Sequence, residues 1–236
     1  MQAKHPRTIY VVLTNPLPGK EAEFNYWYNY VHVPDGLAWG IFDRVYRYKA
    51  LDERAESFLA IWESDYVDLT EGLKRADRET EELAERGRLW PVFERAWSCP
   101  FSSVGPAAPP SRREVTCITT VQVNCPSDYF NEFSQWRDQK LIGRLLANGD
   151  YHTAYGFERT GEAPSGEAKF LTIFEGDLDS VKLKTSSPGG DIFAHQDVER
   201  SDENHLKVIN DTGKSPTEFM IEVKPEWVTT WVPVWP

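Results

Sequence analysis

This chain repeats itself, and the repeat restricts its fold more than any other feature. Phe58-Leu59-Ala60-Ile61-Trp62-Glu63-Ser64-Asp65 returns as Phe170-Leu171-Thr172-Ile173-Phe174-Glu175-Gly176-Asp177. Thr8-Ile9-Tyr10-Val11-Val12 has a partner in Thr116-Cys117-Ile118-Thr119-Thr120, and Glu23-Phe24-Asn25 resembles Tyr129-Phe130-Asn131. Gly40 through Tyr48 lines up with Gly149 through Phe157, which sets Tyr46 opposite Tyr155. Four blocks in the same order indicate a duplication whose copies have drifted by short loop insertions. Between them, Val104-Gly105-Pro106-Ala107-Ala108-Pro109-Pro110 cannot continue a helix or a strand and reads as a linker. The expected division is residues 1–104, a linker at 105–112, and residues 113–236.

Each copy reads strand, helix, strand, strand, helix, strand. Ile9 to Leu13 is a β-branched apolar run, as a covered strand requires. Phe24, Trp27, Tyr28 and Val31 stand at i, i+3, i+4 and i+7, the stripe of an amphipathic helix. Pro34 is expected to end that helix, because the residue before a proline is pushed out of the α region. Val45 to Lys49, Phe58 to Glu63 and Ala96 to Ser103 read as strands, and the charged run Asp68 to Arg88 as a solvated helix. The second copy keeps the aromatic helix, loses the second one to a looser region broken at Ser186-Ser187-Pro188-Gly189-Gly190, and ends in a strand over Trp227 to Val234. This βαββαβ order predicts an α+β fold: two tandem ferredoxin-like repeats packed sheet to sheet as a pseudo-dimeric barrel.

Charge narrows the function classes. With 26 Lys+Arg against 37 Asp+Glu the net charge is -11, which repels phosphate backbones and anionic headgroups. No nucleic acid and no membrane partner is therefore expected, and no apolar run is long enough to span a bilayer. Three cysteines without ligand spacing read as reduced thiols of a cytoplasmic protein. No phosphate-cradling loop, dinucleotide fingerprint or Cys-x-x-Cys is present.

The stretch Pro18-Gly19, then Glu23-Phe24-Asn25-Tyr26-Trp27-Tyr28, then His32-Val33-Pro34, resembles the dimeric α+β barrel superfamily and within it the EthD-like branch. Arg47-Tyr48 and Phe58 through Glu63 stand where such proteins have their second and third strands. The resemblance implies a scaffold that houses cofactor-free isomerases, cyclases, lyases and dehydratases, monooxygenases lacking metals, and several haem enzymes.

His32 is the first candidate for chemistry. A neutral imidazole suits a general base at neutral pH, and in related muconolactone-isomerising enzymes a histidine at the matching helix end moves protons. The alternative is a histidine that caps the helix end. Aligning Phe24 with Phe130 sets His32 opposite Asp138, so one active site per chain is expected. Tyr46 could steady an oxyanion from the second strand, or be an ordinary amphipathic core tyrosine. His152 takes the place of Asp43 and faces either inward or the surface. Together, His32 and Tyr46 would act on a substrate lined by Tyr28, Tyr48, Trp62, His152 and Tyr155. Other aromatics flanking the last strands, Trp90, Trp97, Trp227, Trp231 and Trp235, serve as lining or as packing.

The expected function is a cofactor-independent lyase or isomerase acting by proton transfer on a small hydrophobic metabolite, aromatic or polyketide-like, with no metal. One alternative is a monooxygenase or haem-dependent oxidoreductase, with His152 or His195 as the axial ligand. Another is a metabolite-binding protein without catalysis. A single chain is expected to close its own barrel, with at most a weak homodimer.

Overall fold

The computed structural model describes residues 6–51, 57–89, 93–105, 113–149, 151–161, 166–184, 192–211 and 216–234. His5, Trp90, Trp235, most of the expected linker and the Ser186–Gly190 interruption lie outside them. The chain forms two compact units, residues 6–103 with 233–236, and residues 104–232.

The N-terminal unit has β1 (Thr8–Pro16), a continuous helical run of α1 (Glu21–Trp27), a π-turn (Tyr28–His32) and α2 (Val33–Ala38), then β2 (Arg44–Ala50), β3 (Phe58–Ser64), α3 (Thr70–Glu85) and β4 (Phe93–Ser103). Its sheet order is β4-β1-β3-β2, antiparallel throughout. The C-terminal unit has β5 (Cys117–Val123), α4 (Phe130–Trp136), a π-turn (Arg137–Ile142), α5 (Gly143–Ala147), β6 (Tyr151–Arg159), β7 (Phe170–Gly176), α6 (Leu178–Lys184), β8 (Val198–Arg200), β9 (His205–Asn210), β10 (Thr217–Glu222) and β11 (Val228–Pro233). Here the order is β11-β5-β7-β6. Taken in hydrogen-bonding order, the eight strands run β1-β3-β2-β11-β5-β7-β6-β4 as a closed barrel, so the fold is α+β with two ferredoxin-like repeats.

Pro34 does not end the first helix. It stands at the start of α2, directly after the π-turn. There the shift to i→i+5 bonding has already displaced the ladder, so a residue without an N–H costs little. The same π-turn recurs in the second copy without a proline.

Burial corrects the repeat register. Phe24, Trp27 and Tyr28 are buried in the first helix, and Phe133, Trp136 and Arg137 in the second. The helices therefore match at the 109-residue spacing of Gly40 to Gly149, not by pairing Phe24 with Phe130. Aromatic contacts confirm this. Phe24 meets Phe58 at 5.2 Å between centroids, and Phe133 meets Phe170 at 4.7 Å. Phe42 meets Trp62 at 5.1 Å, and Tyr151 meets Phe174 at 5.0 Å. Each aromatic pair contributes about 0.5–1.5 kcal/mol beyond its buried area.

The looser region of the second copy is a short helix, α6, followed by a three-stranded sheet, β10-β9-β8. Its inward side chains, Leu206, Val208, Phe219 and Ile221, join the core cluster of Phe133 and Trp136.

Gly36 of α2 lies against the Trp62 ring, where an added Cβ would stand 2.5 Å from Cζ3. Gly36→Ala is expected to cost about 1–3 kcal/mol through this overlap. Gly143→Ala, in open space on α5, is expected to gain about 0.5–1 kcal/mol from reduced backbone entropy. Urea unfolding of the two variants beside the parent chain checks both signs.

Candidate functional site

The π-turn of the N-terminal unit carries His32 to the space between helix and sheet. Its ring stacks on Trp27, with centroids 4.8 Å apart and planes 16° from parallel. Tyr28 and Trp62 meet it edge-on at 4.9 and 5.4 Å. Part of the imidazole reaches solvent, but Nδ1 is buried and has no hydrogen-bond partner. An unsatisfied buried nitrogen costs about 1–3 kcal/mol. Burial pushes the His32 pKa down to about 4, with Arg47 acting in the same direction and Asp35 against it. The imidazole is therefore neutral at neutral pH and able to accept a proton.

Surrounding groups hold this box. Arg47 on β2 lays its guanidinium over Tyr28, 4.1 Å from the ring centroid, and donates to Asn29 Oδ1 and, at 2.9 Å, to Asn25 Oδ1. Burial pushes the Tyr28 phenol up to about 12, against the pull of Arg47, while the indole N–H of Trp62 donates to its hydroxyl. Trp27 Nε1 donates to the Arg88 carbonyl at 2.8 Å, and Arg88 pairs with both Asp35 oxygens at 2.8 Å.

His32, Tyr28 and Trp62 are thus brought together, but Tyr46 and Tyr48 are not. Arg47 faces the helix, so its neighbours on β2 project from the opposite side of the sheet. Tyr46 is 42% exposed there and Tyr48 is buried. One proton-transfer step shared by His32 and Tyr46 does not fit this arrangement. The pairing of His32 with Asp138 is also corrected. At the true spacing its counterpart is Leu141, buried in an apolar cluster.

The C-terminal unit holds the other candidates. His152 is the bulged residue between Tyr151 and Thr153, and its Nδ1 is buried without a partner, as is Thr153 Oγ1. Tyr155 donates to Glu175 Oε2 at 3.5 Å, and burial raises the Glu175 pKa. His195 lies in a turn with Nδ1 3.2 Å from Asp197 Oδ2, and Arg144 donates to the Ile192 carbonyl of the same turn. His205 pairs with Asp202 at 2.9 Å. Among the described residues, no group of three His, Cys, Asp or Glu is placed to hold a metal ion. All three cysteines are buried and none forms a disulfide, and burial pushes the Cys117 and Cys125 thiols up to about 12, where they are poor nucleophiles.

The sequence places Arg137 on the aromatic face of the second helix but assigns it no role. Its guanidinium is wholly buried beside Gly156, where an added Cβ would lie 2.9 Å from Cζ. Nε donates to Asp138 at 2.7 Å, while Nη1 and Nη2 are buried without partners. An arginine within an otherwise apolar helical stripe was the available signal.

Because His32 resists protonation in the folded state, unfolding takes up a proton between its folded value near 4 and the ordinary value of 6.5. Stability therefore falls as pH drops through this window. The parent chain is expected to lose about 1–3 kcal/mol more than His32→Leu between pH 7 and 4.5, measured by urea unfolding at each pH. Parallel curves would show that the imidazole is solvated.

No family model and no curated protein matches the chain. Solved structures do share its fold. One assigned as a chlorite dismutase (TA0507) aligns with a TM-score of 0.57 at 10% identity, covering 97% of this chain and 94% of that one. A point variant of chlorite dismutase from Candidatus Nitrospira defluvii aligns at 0.52 with 10% identity, covering 93% of each chain. A dye-decolorizing peroxidase from Bacteroides thetaiotaomicron aligns at 0.50 with 9% identity, covering 77% of this chain and 83% of that one. The expectation of no cofactor is corrected: the chlorite dismutases and the dye-decolorizing peroxidase on this fold speak against it. At such identity the likeness shows the fold alone, an α+β barrel.

Proposed function

We propose that this chain is an oxidoreductase acting on a small organic molecule, with haem held through His195 of the C-terminal unit. Within the superfamily, the Pro18-Gly19 turn, the aromatic helix and His32-Val33-Pro34 support a place beside the EthD-like branch. Support for redox chemistry comes from the character of the fold's neighbours, which favours it over a lyase or isomerase.

The histidines differ in how well they suit haem iron. His32 is enclosed by Trp27, Tyr28 and Trp62, which crowd the ring against the approach of a macrocycle. His152 has no group orienting its buried Nδ1. His195 and His205 each bring Nδ1 to a carboxylate, Asp197 at 3.2 Å and Asp202 at 2.9 Å, which leaves Nε2 for a metal, and of the two His195 is the less exposed. That observation carries the assignment. Bound haem supplies one-electron and oxygen-atom chemistry. Nδ1 lies between two groups of Asp197: the backbone N–H, which donates to it at 3.3 Å when it is unprotonated, and the carboxylate, which would accept its proton once haem takes Nε2. Arg144 anchors the turn through Ile192, and its charge also acts on Asp197.

In the N-terminal unit, the neutral, partly exposed His32 imidazole would accept a substrate proton, while its Nδ1 is buried without a partner. Tyr46 and Tyr48 would contact substrate in the N-terminal unit away from the His32 box, and Tyr155 would do so in the C-terminal unit. No helix among the described residues is long and apolar enough to cross a membrane. Buried thiols outside any disulfide suit a reducing cytoplasmic setting, and one chain suffices for the barrel.

Hemin titrated into the purified chain is expected to give a Soret band that His195→Ala abolishes and Asp197→Asn shifts. A parent chain that leaves the spectrum of free hemin unchanged would overturn the haem reading. An unaltered band in His195→Ala would remove His195 from it.

A further inference from the structure

We infer that Arg137 is the receptor for a small monocarboxylate, bound between helix and sheet in the C-terminal unit. The inference stands apart from the haem reading and rests on a comparison of the two repeats. In the N-terminal unit the guanidinium comes from the strand: Arg47 lies over Tyr28 of the helix, with one Nη on Asn29 and the other on Asn25. At the 109-residue spacing those four positions become Gly156, Arg137, Asp138 and Ser134. The guanidinium has changed sides. It now comes from the helix, and the strand position is a glycine whose missing Cβ leaves it room.

The polar partners did not move with it. Asp138 takes only Nε. The amide oxygen of Asn25 has no counterpart, because Ser134 is shorter by about one carboxamide group. Nη1 and Nη2 are left buried with four N–H bonds unmet. Two unpartnered nitrogens of a planar fork call for a planar acceptor with two oxygens, and a carboxylate matches that fork in a bidentate pair. Asp138 pairs with Nε alone, and its own charge repels a second anion, so a monoanion is tolerated better than a phosphate dianion. The Phe133 ring, 5.8 Å from Cζ, and buried Trp136 make the surroundings apolar. The ligand class is therefore an aromatic or aliphatic monocarboxylic acid.

Benzoate is the probe, and its neutral methyl ester is the control. Calorimetric titration of the full chain is expected to show benzoate binding and no binding of the ester. Arg137→Met should weaken benzoate binding about tenfold or more, as expected for loss of a charged bidentate partner. Ser134→Asn restores the missing amide within the chain. It should raise the melting temperature and block benzoate, which separates loss of the site from loss of the fold. Failure of the parent chain to bind benzoate, or equal binding by Ser134→Asn, would overturn the proposal.

Discussion

A guanidinium sealed between helix and sheet has to be matched in shape and charge, and each repeat is arranged around that requirement. Transfer of such a charge from water costs several kcal/mol unless hydrogen bonds and an aromatic face replace the lost hydration. In the N-terminal unit, Arg47 obtains both: the Tyr28 ring beneath it and two asparagine oxygens at its nitrogens. Burial still pulls its pKa down to about 10, so it stays charged at neutral pH. The C-terminal unit meets the demand differently, with Arg137 on the helix, Asp138 beside it and Gly156 opening the strand. Two positions exchanged across one interface keep the backbone architecture while altering which hydrogen bonds remain open.

The same backbone equivalence gives His32 its meaning. Its partner position holds Leu141, which fills an apolar cluster without polar demands. A packing role at that position is thus satisfied by a hydrocarbon, and the imidazole adds a lone pair that the fold does not need. Trp27, Tyr28 and Trp62 desolvate it and keep it neutral. A helix-capping role fits poorly, because the helical run continues through the π-turn into α2. Both helices carry that π-turn, so it belongs to the scaffold, whereas the histidine belongs to one repeat.

Much of this architecture was legible in the sequence because the apolar positions follow the periods of helix and strand. The strands around Ile9, Val45, Phe58 and Phe170 lie where alternation and β-branching put them. The helix register was misread because Glu23-Phe24-Asn25 looks like Tyr129-Phe130-Asn131, and a matching tripeptide outweighed burial. Phe130 sits at the start of α4 and packs on Phe170 from there, 5.1 Å between centroids, so both Phe130 and Phe133 are aromatic for good reason. The glycine pair Gly40 and Gly149, both at positive φ, already marked the true spacing. The three-stranded sheet escaped notice because its strands are short, yet His205 to Asn210 alternates inward and outward along its length. Which face a tyrosine takes could not be read without knowing that Arg47, a charged residue, points toward the helices.

Identity near 10% with chlorite dismutases and a dye-decolorizing peroxidase means that a backbone has been kept and nearly every side chain replaced. Function on such a scaffold is decided by the few polar groups that the packing leaves unsatisfied. The described residues leave few buried side-chain atoms in that state: one imidazole nitrogen at His32, another at His152, the hydroxyl of Thr153 and the two terminal nitrogens of Arg137. Apolar side chains line the helix–sheet space of each unit, with Phe24, Trp62 and Phe58 in one and Phe133, Trp136 and Phe174 in the other. Chemistry therefore cannot be spread through these cores and must concentrate at those atoms and at the half-exposed His195 turn. A neutral base lies in one repeat, and a fixed positive charge with an oriented imidazole lies in the other. The two copies have been specialised by swapping single side chains, with no change to the backbone path of helix and sheet around them.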